Sequence, residues 1–436
     1  MNARPSLPAL LLTVAALAAP ASAAPASAAP EPGLTAPESD RLRVGPGRAH
    51  STLASALAAA AAHDTVVVEA GTYTEWGLVL DRPLTVLGRP GAVVDAEGQG
   101  TVFLVTADSV TLEGLTIRRT GLSFTDDRAG IKVDGARFCR ILGNMLDDTF
   151  FGIYLANAGD CLVSGNVLEG RALRETDSGN GIHLWYSTRV ELRENVVRGH
   201  RDGIYFEFVE DSRVDRNLSE DNVRYGLHFM FSDRCTYTHN RFLRNRAGVA
   251  VMYTSGVVMQ GNDFVESSGG ASFGLLLKEI RDSEITGNRF LDNSVALYLE
   301  GANRVRVSEN DFVTNGWAVK VMANSDGSAF EGNNFVGNSF DVATNSRSTA
   351  STFRGNFWDR YAGYDRDRDG VGDVPFRPVR LFSLVVEQNR PALALQRSAL
   401  VFLLDLAEAV LPVLTPANLS DPAPSLLPLP TPWRAS

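Results

Sequence analysis

Thioethers and imidazoles carry the most pointed chemistry in this chain, and they fall together. Apart from Met1 the sequence holds five methionines, and Met230, Met252 and Met322 share one column of a repeating pattern. The stretch "RYGLHFMF", 224–231, sets His228 and Met230 two residues apart. In a β-strand such residues point to the same side. Met252 takes the place of Met230 one repeat later, and His183 takes the place of His228 two repeats earlier, about 10 Å away at the usual strand spacing. Soft sulfur and borderline nitrogen suit Cu(I), whereas Ca²⁺ or Mg²⁺ would demand oxygen. His228, Met230 and Met252 therefore read as a three-ligand copper site, with His183 as a further candidate. The same face has a second use, because Trp185, Tyr205, Phe208, Met230, Met252 and Tyr253 would form an apolar docking patch beside Glu207.

A different chemistry is written in "DRDRDGVGD". Asp365, Asp367, Asp369 and Asp373 alternate around Gly370 as in the first nine positions of a calcium loop. The twelfth position is Phe376 rather than a bidentate Glu, so an EF-hand is incomplete and a structural calcium site competes with a solvated acidic turn. Cys139, Cys161 and Cys235 lack the spacing of a metal site. The first two lie 22 residues apart, within disulfide range on adjacent coils, but parallel Cβ vectors favour reduced core thiols. Polysaccharide cleavage or epimerisation would need carboxylates gathered on one face. In the doublets Asp126–Asp127 and Asp147–Asp148 the side chains diverge, and no Ser/His/Asp set is evident. No catalytic residue is assigned, and a carbohydrate-binding or polysaccharide-modifying protein is the alternative reading.

These residues must be positioned by a repeat. An Asn, usually after Gly, recurs from Asn144 through Asn166, Asn195, Asn217, Asn240, Asn262, Asn288, Asn310 and Asn333 to Asn356, spaced by 22 or 23 residues except for 29 and 26 at two inserts. A large apolar residue often follows two places on, and a glycine, replaced later by Ala296 and Ala318, opens each "GIYL"-type strand. One such unit cannot bury its own apolar face, so neighbours must stack. Asn tolerates left-handed backbone in turns and its amide can hydrogen-bond along the stack. The expected fold is all-β, a right-handed parallel β-helix of roughly a dozen coils. "STLASALAAAAAH" predicts a helix plugging its N-terminal end before a first strand at "DTVVVEAG".

The expected organisation is a signal peptide over 1–24, a linker over 25–40, the β-helix over 41–360 and an acidic cap over 361–380. An apolar helical segment follows over 381–414, then a Pro-rich tail over 415–436, extended or disordered. Leu403, Leu406 and Val410 lie on the broad apolar face of that helix, which is too short and too charged to span a bilayer. It serves as a cap, a docking element, or both. A net charge of −10 leaves no basic stripe for nucleic acid. Export, to the periplasm, is the expected destination.

The segments "GNGIHLWYS", "GIYFEF", "YGLHFMFS", "GVAVMY", "GLLLKEI" and "NFWDRYAGYDRDRDGVGDVPFRPVRLFSLVVEQ" together closely resemble the NosD family of nitrous oxide reductase maturation proteins. The resemblance runs through nearly the whole chain after the signal. It implies a periplasmic accessory protein, not an enzyme, that works with an ABC transporter made of a membrane permease and a cytoplasmic ATPase. It also implies that copper, taken from a membrane-anchored chaperone, is passed toward the copper centres of nitrous oxide reductase. No ligand assignment comes with it.

Overall fold

The computed structural model of the chain describes residues 41–434 except 124, 346–349, 397 and 411–418, and at 390, 405, 409 and 410 the backbone alone. The expected signal peptide and linker lie outside the described residues. Every strand pairs in parallel with its counterpart one coil away, giving three sheets of 14, 12 and 13 strands. Strands of the first and third sheets are mostly three residues long, whereas those of the 12-stranded sheet reach six to nine between Tyr225 and Arg281. The molecule is a parallel β-helix, as the repeat predicts.

The ladders explain the repeat. Each Asn from Asn144 to Asn333 donates its backbone N–H and its Nδ2 to Oδ1 of the next Asn, at 2.8–3.1 Å. Nδ2 also donates to a backbone carbonyl, as from Asn240 to Val214 O at 2.9 Å. All ten residues are buried, so the stack satisfies polar groups that would otherwise be costly inside. The left-handed backbone sits one place earlier than expected: Gly143, Gly165, Glu194, Arg216 and His239 have positive φ, and the Asn residues after them do not. Beside this ladder Phe242, Phe264, Phe290, Phe312, Phe335 and Trp358 stack face to face at 4.1–5.5 Å. The strand-opening glycines answer to close approach: a Cβ on Gly226 would stand 2.6 Å from Asn245 Nδ2 and 2.7 Å from Gly248 O.

Both ends are covered. Helix α1 (Leu53–Ala59) is capped by Thr52, and buries Leu53, Ala56 and Leu57; its first N–H groups donate to the Glu75 carboxylate. The stack begins one strand earlier than the sequence suggests, because Arg41–Val44 pairs in parallel with Thr65–Val68. At the far end α2 (Leu381–Gln388) and α3 (Ala399–Val410) lie over the last strands of the 12-stranded sheet. Phe382, Val386 and Val401 bury against Phe340, with Trp317 and Leu404 alongside. No helix among the described residues is long and apolar enough to cross a membrane.

The tail, which the sequence leaves as extended or disordered, is tied to the coils. Its described part, 419–434, is neither free nor loosely attached. Asp421 continues the Asn ladder: its Oδ2 accepts from Asn356 N, Asn356 Nδ2 and Trp358 Nε1 at 2.9–3.1 Å, and its Oδ1 from Gly355 N. Leu429 and Asn334 exchange hydrogen bonds, and Thr431 Oγ1 donates to Asp311. Trp433 Nε1 donates to Gly287 O beneath the Arg289 guanidinium. The tail is a strap running back over the outer surface of the 13-stranded sheet.

Candidate functional site

The strand Tyr225–Met230 turns Leu227 and Phe229 into the core and His228 and Met230 away from it. In register, His228 lies between Tyr205 and Ala250, and Met230 between Glu207 and Met252. The two thioethers thus occupy neighbouring strands, and the imidazole sits beside the first. Tyr205 Oη donates to Met230 Sδ at 3.6 Å.

Exposure is unequal along this strand. His228 is only 6 % exposed, held in a column of rings in which Phe151, Tyr154, His183, Tyr205, His228 and Tyr225 follow at centroid distances of 4.5–5.3 Å. Met230 and Met252 are half-buried. Neither ring nitrogen of His228 has a hydrogen-bond partner among the described residues; the buried Asp202 carboxylate, 3.9 Å from Nδ1, is instead bridged by the Arg224 guanidinium. Burial pushes the His228 imidazole down to about 4, with Asp202 opposing in part, so it is neutral near pH 7. A neutral imidazole without a hydrogen-bond partner among the described residues, in register beside two thioethers, offers donor types that suit a soft cation.

His183 stands apart from that set. The Tyr205 ring lies between the two imidazoles. Arg201 donates to Asn180 Oδ1 at 3.1 Å, which turns the Asn180 Nδ2 donor toward His183 Nδ1 at 3.0 Å. The lone pair of Nδ1 is thereby taken and the proton belongs on Nε2. Burial pushes this imidazole down to about 3.

The aromatic face is larger than its sequence signature. Tyr186, Phe208, Phe231 and Tyr253 form an exposed stack at 4.6–5.2 Å, nearly parallel. All four have left-handed backbone, a conformation costly for bulky residues. Tyr186 and Phe231 complete the column of Phe208 and Tyr253, one place beyond Trp185, Glu207, Met230 and Met252, and only that recurrence marks them in the sequence. Trp185 meets Tyr186 edge to face at 4.8 Å. Ring faces here contact one another and ring edges meet solvent, which suits a protein surface better than a sugar seeking a ring face. At the far end of the same sheet α3 leaves Leu400, Phe402, Leu403 and Leu406 50–69 % exposed; the Val410 side chain lies outside the described residues.

In the acidic loop, carboxylate oxygens of Asp365, Asp367 and Asp369 lie within 4.8 Å of one another. Asp373 turns instead to Arg366 N at 2.7 Å. The Asp369 charge raises the Asp367 carboxyl above its usual range. For Asp365, burial pushes upward but backbone donors from Gly370 and Arg368 hold it low. Gly372 N donates to Pro424 O and Leu426 N donates to Gly370 O, which ties the loop to the strap. Cys139, Cys161 and Cys235 are free and buried, and burial lifts the Cys235 thiol to about 12. Of the acidic doublets, Asp147 pairs with Arg171 and Asp127 with Lys132.

Comparison with known proteins adds the following. Residues 169–363 match the family profile described as "Periplasmic copper-binding protein (NosD)". The chain is 30 % identical to the probable ABC transporter binding protein NosD of Stutzerimonas stutzeri, across 83 % of this chain and 86 % of that one. Its counterpart from Pseudomonas aeruginosa is also 30 % identical, across 77 % and 84 %. Among solved structures the Dettilon tailspike protein superposes with a TM-score of 0.54 at 14 % identity, covering 65 % of this chain and 62 % of that one, a likeness of fold alone.

Proposed function

The chain belongs to the NosD family of periplasmic proteins, and from that premise we propose that it binds Cu(I) through His228, Met230 and Met252 and presents it for the copper centres of nitrous oxide reductase. It acts as a binding and accessory protein rather than a catalyst. Its transporter partner comprises a membrane permease and an ATPase, and its copper comes from a membrane-anchored chaperone. The observation that carries this reading is the buried, neutral His228 imidazole, with no hydrogen-bond partner among the described residues, beside two registered thioethers. Two thioethers and one imidazole hold Cu(I) without enclosing it, and a half-buried pair of thioethers lets an incoming ligand replace them one at a time. The stacked aromatics beside the site supply the surface on which a donor or acceptor protein would seat. Asp365, Asp367 and Asp369 serve as a structural calcium site that stiffens the strap's anchor.

The test is anaerobic Cu(I) titration of the mature chain against a competing chelator. His228→Ala and the near-isosteric Met230→Leu/Met252→Leu pair should each weaken binding at least tenfold, while His183→Ala leaves it within about threefold. Unchanged affinity in both of the first two variants would assign this face to docking alone.

A further inference from the structure

The two thioethers beside His228 are register partners on neighbouring strands and are both half-buried, yet they are not equivalent. Met230 Sδ accepts a hydrogen bond from Tyr205 Oη at 3.6 Å. The sulfur of Met252 receives no hydrogen bond among the described residues, its neighbour on the far side being Lys278. One sulfur is held and the other is free.

Tyr205 reaches Met230 on the diagonal. Its own register partner is His228, with the two rings edge to face at 4.9 Å, and Met230 lies two residues further along that strand. From the opposite neighbouring strand His183 packs on the Tyr205 ring at 4.8 Å. The phenol is therefore held between two imidazoles with its hydroxyl aimed at the thioether. A tyrosine hydroxyl is protonated at neutral pH, and a thioether has no proton to give, so the phenol can only donate to it.

That donation has one sign for copper. Kept while the metal is bound, it draws electron density from the sulfur and weakens the copper–sulfur bond. Surrendered to the metal, it is a hydrogen bond lost on binding. In either case the hydroxyl lowers the affinity of Met230 for Cu(I) and leaves Met252 untouched.

We propose that Tyr205 is a positioning residue that makes Met230 the first ligand to leave Cu(I). Its hydroxyl recaptures the Met230 sulfur as the copper–sulfur bond breaks, while His228 and Met252 keep the ion until an incoming ligand takes it. This assignment rests on the copper reading of His228, Met230 and Met252 and adds the order in which they let go.

The test joins a metal-free measurement to Cu(I) competition. In the mature chain, isotope-labelled at the methionine methyls and free of metal, Tyr205→Phe keeps the ring and removes the hydroxyl. It should shift the Met230 methyl resonance, leave that of Met322 in place, and melt within a few degrees of the parent. Against a competing chelator without oxygen, Tyr205→Phe should bind Cu(I) about fivefold more tightly, the worth of one weak hydrogen bond, and release it correspondingly more slowly. In a Met230→Leu background, which keeps His228 and Met252 as weaker ligands, the same substitution should change affinity by less than about twofold, because the group it acts through is gone. An unmoved Met230 methyl, unchanged or weaker Cu(I) binding in Tyr205→Phe, or an equal gain in the Met230→Leu background overturns the role of Tyr205 and leaves the copper site standing. Absence of Cu(I) binding in the parent overturns the copper site and the order of release with it.

Discussion

His228 shows how burial changes what an imidazole can offer a metal. An exposed imidazole titrates near 6.5, so at pH 5 protons would cost it roughly 30-fold in metal affinity. Burial holds this one down to about 4. Cu(I) affinity should therefore stay within about twofold from pH 7 to pH 5, a range chelator competition can follow directly. The fold bears the opposite dependence. His183, His200 and His228 have folded values of about 3, 4 and 4, below their unfolded value, so between these limits the unfolded chain binds more protons. Stability rises with pH through that window and is lost as pH falls from about 6.5 toward 4; urea midpoints across this range check the sign. That His228 and Met230 share a face was legible from their spacing of two. The depth of His228 was not, because it depends on Tyr205 and Tyr225 closing over the ring from other strands and from the strand's own start.

Elements here are specified by recurrence. An Asn every 22 or 23 residues announces a ladder because only stacked, in-register amides can satisfy one another while buried. The strap carries no such signal: one residue, Asp421, does for the last coil what an Asn does for each earlier one, and a Pro-rich context hides it. Its carboxylate accepts from Gly355 N, Asn356 N, Asn356 Nδ2, Trp358 Nε1 and Ala423 N. Asp421→Ala would leave those donors buried and unsatisfied, at about 2–4 kcal/mol for the terminal coils. Hydrogen exchange should then accelerate across 352–358 and at 425–434, while the coils near Asn240 stay protected. Loss confined to the strap, with 352–358 unchanged, would show that Asp421 fastens the strap without closing the stack.

At the scale of the whole molecule, one sheet carries both the soft-donor strand and the helical pair, five strands apart, roughly 24 Å at the usual spacing. A parallel β-helix has little internal freedom along its axis, since each coil is hydrogen-bonded to both neighbours, so a partner gripping the helices leaves the His228 face at a fixed offset from it. Exposed apolar side chains on α3 are the natural grip: Leu403 and Leu406 stand 58 % and 54 % exposed, whereas Val401 on the same helix is buried against α2 and the sheet. Leu403→Glu/Leu406→Glu changes only solvent-facing positions, so the melting temperature should hold within a few degrees. Co-purification with the permease and ATPase should fall at least tenfold in that variant, while Cu(I) titration of the isolated chain stays at the parental value. Retained co-purification would move the transporter's contact to the aromatic stack of Tyr186, Phe208, Phe231 and Tyr253, and would bring partner and metal onto the same few coils.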